Sequence, residues 1–167
     1  MKNISVLLFL LITLALNAQN NKTSGLNARQ FHKYWKVESE SPDYKVTFLG
    51  DTVEILSPKG LTLWRKEKMS GKVTIEYDAC VVVEVEGDRL SDLNCFWMAS
   101  DPQYPDNIWK REKWRSGIFL NCYSLQLYYM GYGGNHNSTT RFRRYDGNEA
   151  AITNAKARPA ILKEYTD

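Results

Sequence analysis

Between Tyr128 and Tyr145 the chain reads YYMGYGGNHNSTTRFRRY: tyrosines at the start, a glycine–asparagine turn holding His136, then Arg141, Arg143 and Arg144. Aromatic rings stack on the apolar faces of sugars, and guanidinium forks clamp carboxylates in bidentate pairs. Removal of the C5 proton from a uronate needs a group that neutralises the carboxylate, a base, and an acid for the leaving oxygen. Arginine or asparagine suits the first task, and histidine or tyrosine the other two. The catalytic candidates are therefore His136, Tyr132, Arg141 and Asn94. Tyr128, Asn135, Arg143 and Trp97 are candidates for holding the substrate. A histidine among asparagines also serves simply as a hydrogen-bonding turn residue, and that reading stands beside the catalytic one.

Glu76 and Asp78 are two further candidates for substrate contact. Two residues apart on a strand, they share a face at about 6.6–6.8 Å. Inverting glycosidases hold their carboxylates ~6.5–9.5 Å apart, so the spacing permits acid–base work. Plain alternation on a solvated strand produces the same pair. No cofactor or resident metal is expected. The run Gly131-Tyr132-Gly133-Gly134 lacks the Lys-Ser/Thr and the following helix of a phosphate loop. Asp92, Asp101 and Asp106 are acidic enough for calcium, yet nothing in their spacing demands it.

The elements that must position these groups read as strands. Tyr34–Glu38, Tyr44–Phe48, Thr52–Leu56 and Leu61–Arg65 are short strands, with a hairpin signal at Gly50-Asp51. From Val73 to Glu86 apolar and polar residues alternate over fourteen positions, which predicts a long strand with one buried face. Ser91–Met98 predicts another, and Asp101–Ser116 a long crossing loop with one helical turn. Phe119–Tyr132 predicts a second long strand, with Tyr123, Leu125, Leu127 and Tyr129 on its core side and Tyr128, Met130 and Tyr132 opposite. Thr139–Tyr145 is the last alternating run; Ala150–Ala160 reads as a short helix or an extended loop. The whole predicts an all-β sandwich of two antiparallel sheets.

Met1-Lys2-Asn3 followed by the apolar run Ile4–Leu16 and Asn17-Ala18-Gln19 reads as a secretory signal peptide over residues 1–18, too short to span a bilayer as a helix. Residues 19–30 read as a flexible linker and 31–167 as one domain. No cysteine stands at the cleavage point for a lipid anchor, so a secreted or periplasmic protein without membrane anchor is expected. The formal charge of +3 falls to +2 when Lys2 is removed. The basic residues cluster, however: Lys110, Arg111, Lys113 and Arg115 form one group, and Arg141, Arg143 and Arg144 the other. Outside the cytoplasm such clusters suit an acidic polysaccharide rather than nucleic acid; a solvated charged face is the alternative for the first. Cys80, Cys95 and Cys122 are an odd number in an exported chain, and their scatter favours buried thiols over a disulfide.

The run Lys59-Gly60-Leu61-Thr62-Leu63-Trp64, the strand Ile75-Glu76-Tyr77-Asp78, the segment SDLNCFWMASDP from Ser91 and GGNHNSTTRFRRY from Gly133 together resemble one family. It is a family of secreted bacterial proteins with a concanavalin A-like (lectin/glucanase) jelly roll, associated with polysaccharide degradation. The resemblance covers about Trp35 to Asp167. It implies a jelly-roll sandwich that acts in polysaccharide degradation. With the basic clusters, the expected substrate contains uronic acid, and a lyase is preferred to a hydrolase because arginines and tyrosines outnumber well-placed carboxylates. The alternatives are a non-catalytic glycan-binding module and an inactive truncated copy. Relatives continue through further strands beyond the point matching Asp167, so the chain reads as C-terminally truncated relative to them. The resemblance carries no catalytic residue over to this chain.

Overall fold

In the computed structural model of the protein, residues 27–50, 52–84, 86–88 and 92–166 are described. The expected signal peptide and residues 19–26 of the expected linker lie outside them. A single helical turn, α1 (Phe31–Tyr34), runs into strand β1 (Trp35–Ser39). Strands β2 (Lys45–Leu49) and β3 (Thr52–Leu56) form a hairpin, and β4 (Leu61–Arg65) returns antiparallel to β1. Strand β5 (Leu93–Ser100) begins a four-stranded antiparallel sheet completed by β6 (Gln126–Gly133), β7 (Thr139–Asp146) and β8 (Ile161–Thr166), in the order β5-β6-β7-β8. The short helices α2 (Glu112–Arg115) and α3 (Ala150–Thr153) sit in the connections. The all-β, antiparallel architecture expected from the sequence is therefore what the chain adopts.

The β1–β4 ribbon covers one face of the large sheet. Trp64 on β4 stacks on Phe96 of β5 with centroids 5.9 Å apart. Behind them Cys122, Tyr123, Leu125, Leu127, Tyr129, Tyr145 and Ala151 complete one core. Tyr123 and Tyr145 stack at 4.7 Å, and Tyr129 lies 5.5 Å from Tyr145. Burying a large apolar side chain contributes about 1.5–3 kcal/mol. Within this block the Trp64–Phe96 contact joins the ribbon to the sheet.

Two expected strands differ from the structure. Residues 73–84 form no ladder with any described strand, and Val73, Ile75, Tyr77 and Val83 stand 47, 48, 56 and 50 % exposed. Alternation specifies two faces but cannot supply a neighbour to pair with. The second run becomes a strand only at Gln126: Phe119–Ser124 is a 3-10 helix. The amide of Leu125 donates to the Cys122 carbonyl at 3.0 Å, and the Ser124 hydroxyl donates to the Asn121 carbonyl at 2.7 Å. Consecutive Cys122, Tyr123 and Ser124 are all buried, which a strand with one covered face does not allow. The Asp101–Ser116 connection does hold a helical turn, a 3-10 segment Ile108–Arg111 leading into α2. Strand β8 is an addition that the weakening pattern after Asn148 did not signal.

Candidate functional site

Register divides the nominated residues between the two faces of the sheet. Asn94 pairs with Gly131, which pairs with Arg141, which pairs with Glu164. Phe96 pairs with Tyr129, which pairs with Arg143. Paired residues point the same way, so Asn94, Tyr129, Arg141 and Arg143 share the inner face, on which the core also lies. Leu93, Cys95 and Trp97 alternate with them, pairing with Tyr132, Met130 and Tyr128, and point outward.

The inner face changes character along the strands. Toward Gln126 and Tyr145 it is the aromatic core; toward the β6–β7 turn it becomes polar. Tyr129 joins the two, with its ring in the core and its hydroxyl donating to Asn94 Oδ1 at 2.9 Å. Only a glycine fits at the crossing point. A Cβ on Gly131 would lie 2.0 Å from the Tyr129 hydroxyl oxygen. Burial, reinforced by the nearby Asp92 carboxylate and opposed by Arg143 and Arg141, pushes the phenol up to about 12. It is therefore a neutral hydrogen-bonding group at ordinary pH. Arg141 pairs through Nε with Glu164. Arg143 is half-buried, and its Nε, shut off from solvent, has no acceptor in the structure.

The nominated catalytic set does not assemble. Asn94 and Arg141 occupy one cross-strand row of the inner face, on either side of Gly131, whereas Tyr132 is on the outer face and 56 % exposed. His136 is exposed in the one-turn segment Gly134–Asn137, where Asn135, His136 and Asn137 take left-handed φ values of 52°, 61° and 65°. The turn is tied together locally: Asn135 Nδ2 donates to Thr139 Oγ1 at 3.2 Å, and the Ser138 hydroxyl donates to the Asn135 carbonyl at 2.8 Å. Of the substrate candidates, Arg143 is on the inner face, while Asn135 belongs to the turn. Trp97 and Tyr128 stack with Phe142 on the outer face, all three centroid pairs being 5.8–5.9 Å apart and near parallel. Glu76 and Asp78 are exposed in the unpaired 73–84 stretch. Sequence reasoning missed Tyr129, whose apolar register marked it as core. The signal was available two residues later, in a glycine facing the same side.

The two arginines of the first basic cluster are structural, while Lys110 and Lys113 are exposed. Arg115 is fully buried and forks onto Glu38 at 2.6 and 3.2 Å, with a third bond to the Ile108 carbonyl at 2.8 Å. Burial pushes the Glu38 carboxyl upward against the pull of Arg115. Arg111 grips the fully buried Asp101 at 2.8 and 2.9 Å and also pairs with Glu149. These two guanidiniums are committed to holding the 101–116 connection against β1 and α3, so no polyanion reaches them. Asp101, one of the calcium candidates, is consumed by the same pair. Among the described residues no cluster of three or more His, Cys, Asp or Glu side chains is placed to hold a metal. The cysteines are free; Cys122 is buried as expected, whereas Cys80 is exposed.

Residues 55–167 match a protein family described as a domain of unknown function, DUF6250. The chain belongs to that family. No curated protein and no solved structure matches it. The DUF6250 region carries β4 to β8 and every residue of the inner-face site. Strands β1 and β2 precede it, and β1 supplies the Glu38 that anchors Arg115.

Proposed function

We propose that this DUF6250 domain is an exported recognition module for uronic-acid-containing polysaccharide, built on a jelly-roll sandwich of the concanavalin A-like kind. Its binding surface is the polar end of the inner face. The observation that carries the proposal is Arg143, a half-buried guanidinium on the inner face whose Nε is left without an acceptor. Leaving such a donor unsatisfied costs about 1–3 kcal/mol, which a carboxylate ligand returns as a charge-assisted bond. Arg141 lies beside Arg143, paired with Glu164. Asn94 and the Tyr129 hydroxyl, whose lone pairs remain open, match sugar hydroxyls.

Recognition is better supported than cleavage. β-Elimination needs a base within hydrogen-bond reach of the reacting proton. The phenol on this face is held protonated, and His136 lies out on the β6–β7 turn. Calorimetric titration with polygalacturonate and with a neutral glucan of equal length tests the proposal. The acidic chain is expected to bind, the neutral one not, and Arg143→Gln to weaken binding at least tenfold, since a charged hydrogen bond contributes about 1.5–3 kcal/mol. Equal affinity for both glycans, or an unaffected Arg143→Gln variant, would sink it. Growth of the ultraviolet absorbance of unsaturated uronides during the titration would restore the lyase reading.

A further inference from the structure

The 73–84 stretch carries the longest period-two pattern in the chain, yet it forms no backbone ladder with any described strand. It nevertheless runs beside a place where a strand is missing. Among the described residues β5 has a ladder partner on one side only, β6, so its other edge presents a row of unpaired backbone groups. One contact places the stretch against that edge, and a second, in the turn, orients it. The Tyr77 hydroxyl abuts the Cys95 thiol. The Glu84 amide donates to Asp88 Oδ2 at 2.8 Å, beside Gly87 in the left-handed region at φ 98°. Antiparallel pairing counted outward from Glu84 opposite Asp88 sets Tyr77 opposite Cys95. The two contacts therefore agree with one register.

We propose that residues 73–84 add to the free edge of β5 as a fifth antiparallel strand, and that this docking delivers Glu76 and Asp78 to the inner-face site. In this register Asp78 stands opposite Asn94, Glu76 opposite Phe96, and Ile75 opposite Trp97. Parity does the sorting. Val73, Ile75, Tyr77, Ala79, Val81 and Val83 join the outer face, where Leu93, Cys95, Trp97, Met130 and Phe142 are apolar. Glu76 and Asp78 join the face of Asn94, Tyr129, Arg141 and Arg143. A slip of one residue would put both carboxylates on the apolar face and the valines on the polar one, so the pattern itself selects this register.

The completed face has a graded chemistry. Three strand spacings separate the new strand from β7, about 14–15 Å. At that distance Glu76 and Asp78 cannot neutralise Arg143, and they remain available to accept from sugar hydroxyls. Arg143 takes the uronate carboxylate. This second half of the inference rests on the glycan reading above; the docking itself does not.

The test is cross-linking in a Cys80→Ser background, where Tyr77→Cys faces Cys95. Opposed strand residues have Cα atoms about 4.5–5.5 Å apart, inside the range that a disulfide bridges. Under mild oxidation, peptide mass spectrometry is expected to find the 77–95 bridge at least tenfold above the 78–95 bridge of an Asp78→Cys control. Position 77 is exposed, so neither fold nor core depends on it. Bridging from 78 and not 77 would overturn the register, and bridging from neither would overturn the docking. In the unbridged chain Glu76→Gln and Asp78→Asn are each expected to weaken polygalacturonate binding about tenfold. Unchanged affinity in both would overturn the delivery of the carboxylates. A wild-type chain that binds no acidic glycan defeats the recognition proposal and the delivery with it, while the cross-link still decides the docking.

Discussion

At the scale of single residues, Gly131 is where packing and recognition meet. Its missing side chain is the space that the Tyr129 phenol occupies on its way to Asn94. Gly131→Ala forces the ring out of the core, and overpacking of this kind costs typically 1–3 kcal/mol. Urea denaturation is expected to show that loss, whereas Tyr129→Phe should lose only about 1 kcal/mol, the net worth of one hydrogen bond. An Ala variant as stable as the parent would mean that the phenol has another place to go. The Arg115–Glu38 pair behaves differently because both partners are buried. Arg115→Met leaves a carboxylate inside the protein without its partner, an effect of about 3–5 kcal/mol. Replacing both with apolar side chains should restore much of that stability, and a double variant no better than Arg115→Met would refute this account.

The elements owe their positions to connections as much as to ladders. The 101–116 segment has few strand contacts and is held instead by Asp101–Arg111–Glu149 and Arg115–Glu38. Burial is the largest single influence on Asp101 and raises its affinity for protons. The Arg111 bonds, the Gln103 amide and the charges of Arg111 and Arg115 together outweigh it, leaving the carboxyl below its ordinary value. A carboxyl held low in the folded state stabilises the fold above the unfolded pKa of about 3.9, and the contribution disappears as pH falls through the folded value. Acid denaturation is therefore expected to release this connection, and Asp101→Asn should flatten the acid limb of the stability profile while lowering stability at pH 7. An Asn variant whose midpoint still falls with acid like the parent would place the acid-sensitive group elsewhere.

For the whole molecule, a ligand that binds only the folded state raises its melting temperature by linkage, about 2.7 kcal/mol of stabilisation at one hundred times Kd. Polygalacturonate is expected to raise the tryptophan-monitored midpoint and a neutral glucan to leave it in place; no shift with either would count against the inner-face site. How far this could be read without coordinates differs from element to element. The β2–β3 hairpin around Gly50 and the β6–β7 return were legible, because turn residues and alternation are local properties. Phe119–Ser124 was misread as strand because a run of apolar residues in a short helix and in a strand looks alike until its neighbours are known. Val73–Glu86 showed its two faces from the sequence alone, but which strand it belongs beside is decided by contacts across the fold. The same holds for the site. Sequence by itself determined which residues sit on the same side of each strand, since side chains alternate with period two. Only the tertiary structure decided that Arg115 is buried by Glu38 while Arg143 is not satisfied, and that Tyr129 reaches Asn94 where Tyr132 cannot. Those outcomes depend on which strands become neighbours and which face the ribbon covers, and both are set by long-range packing of Trp64, Phe96 and the tyrosines.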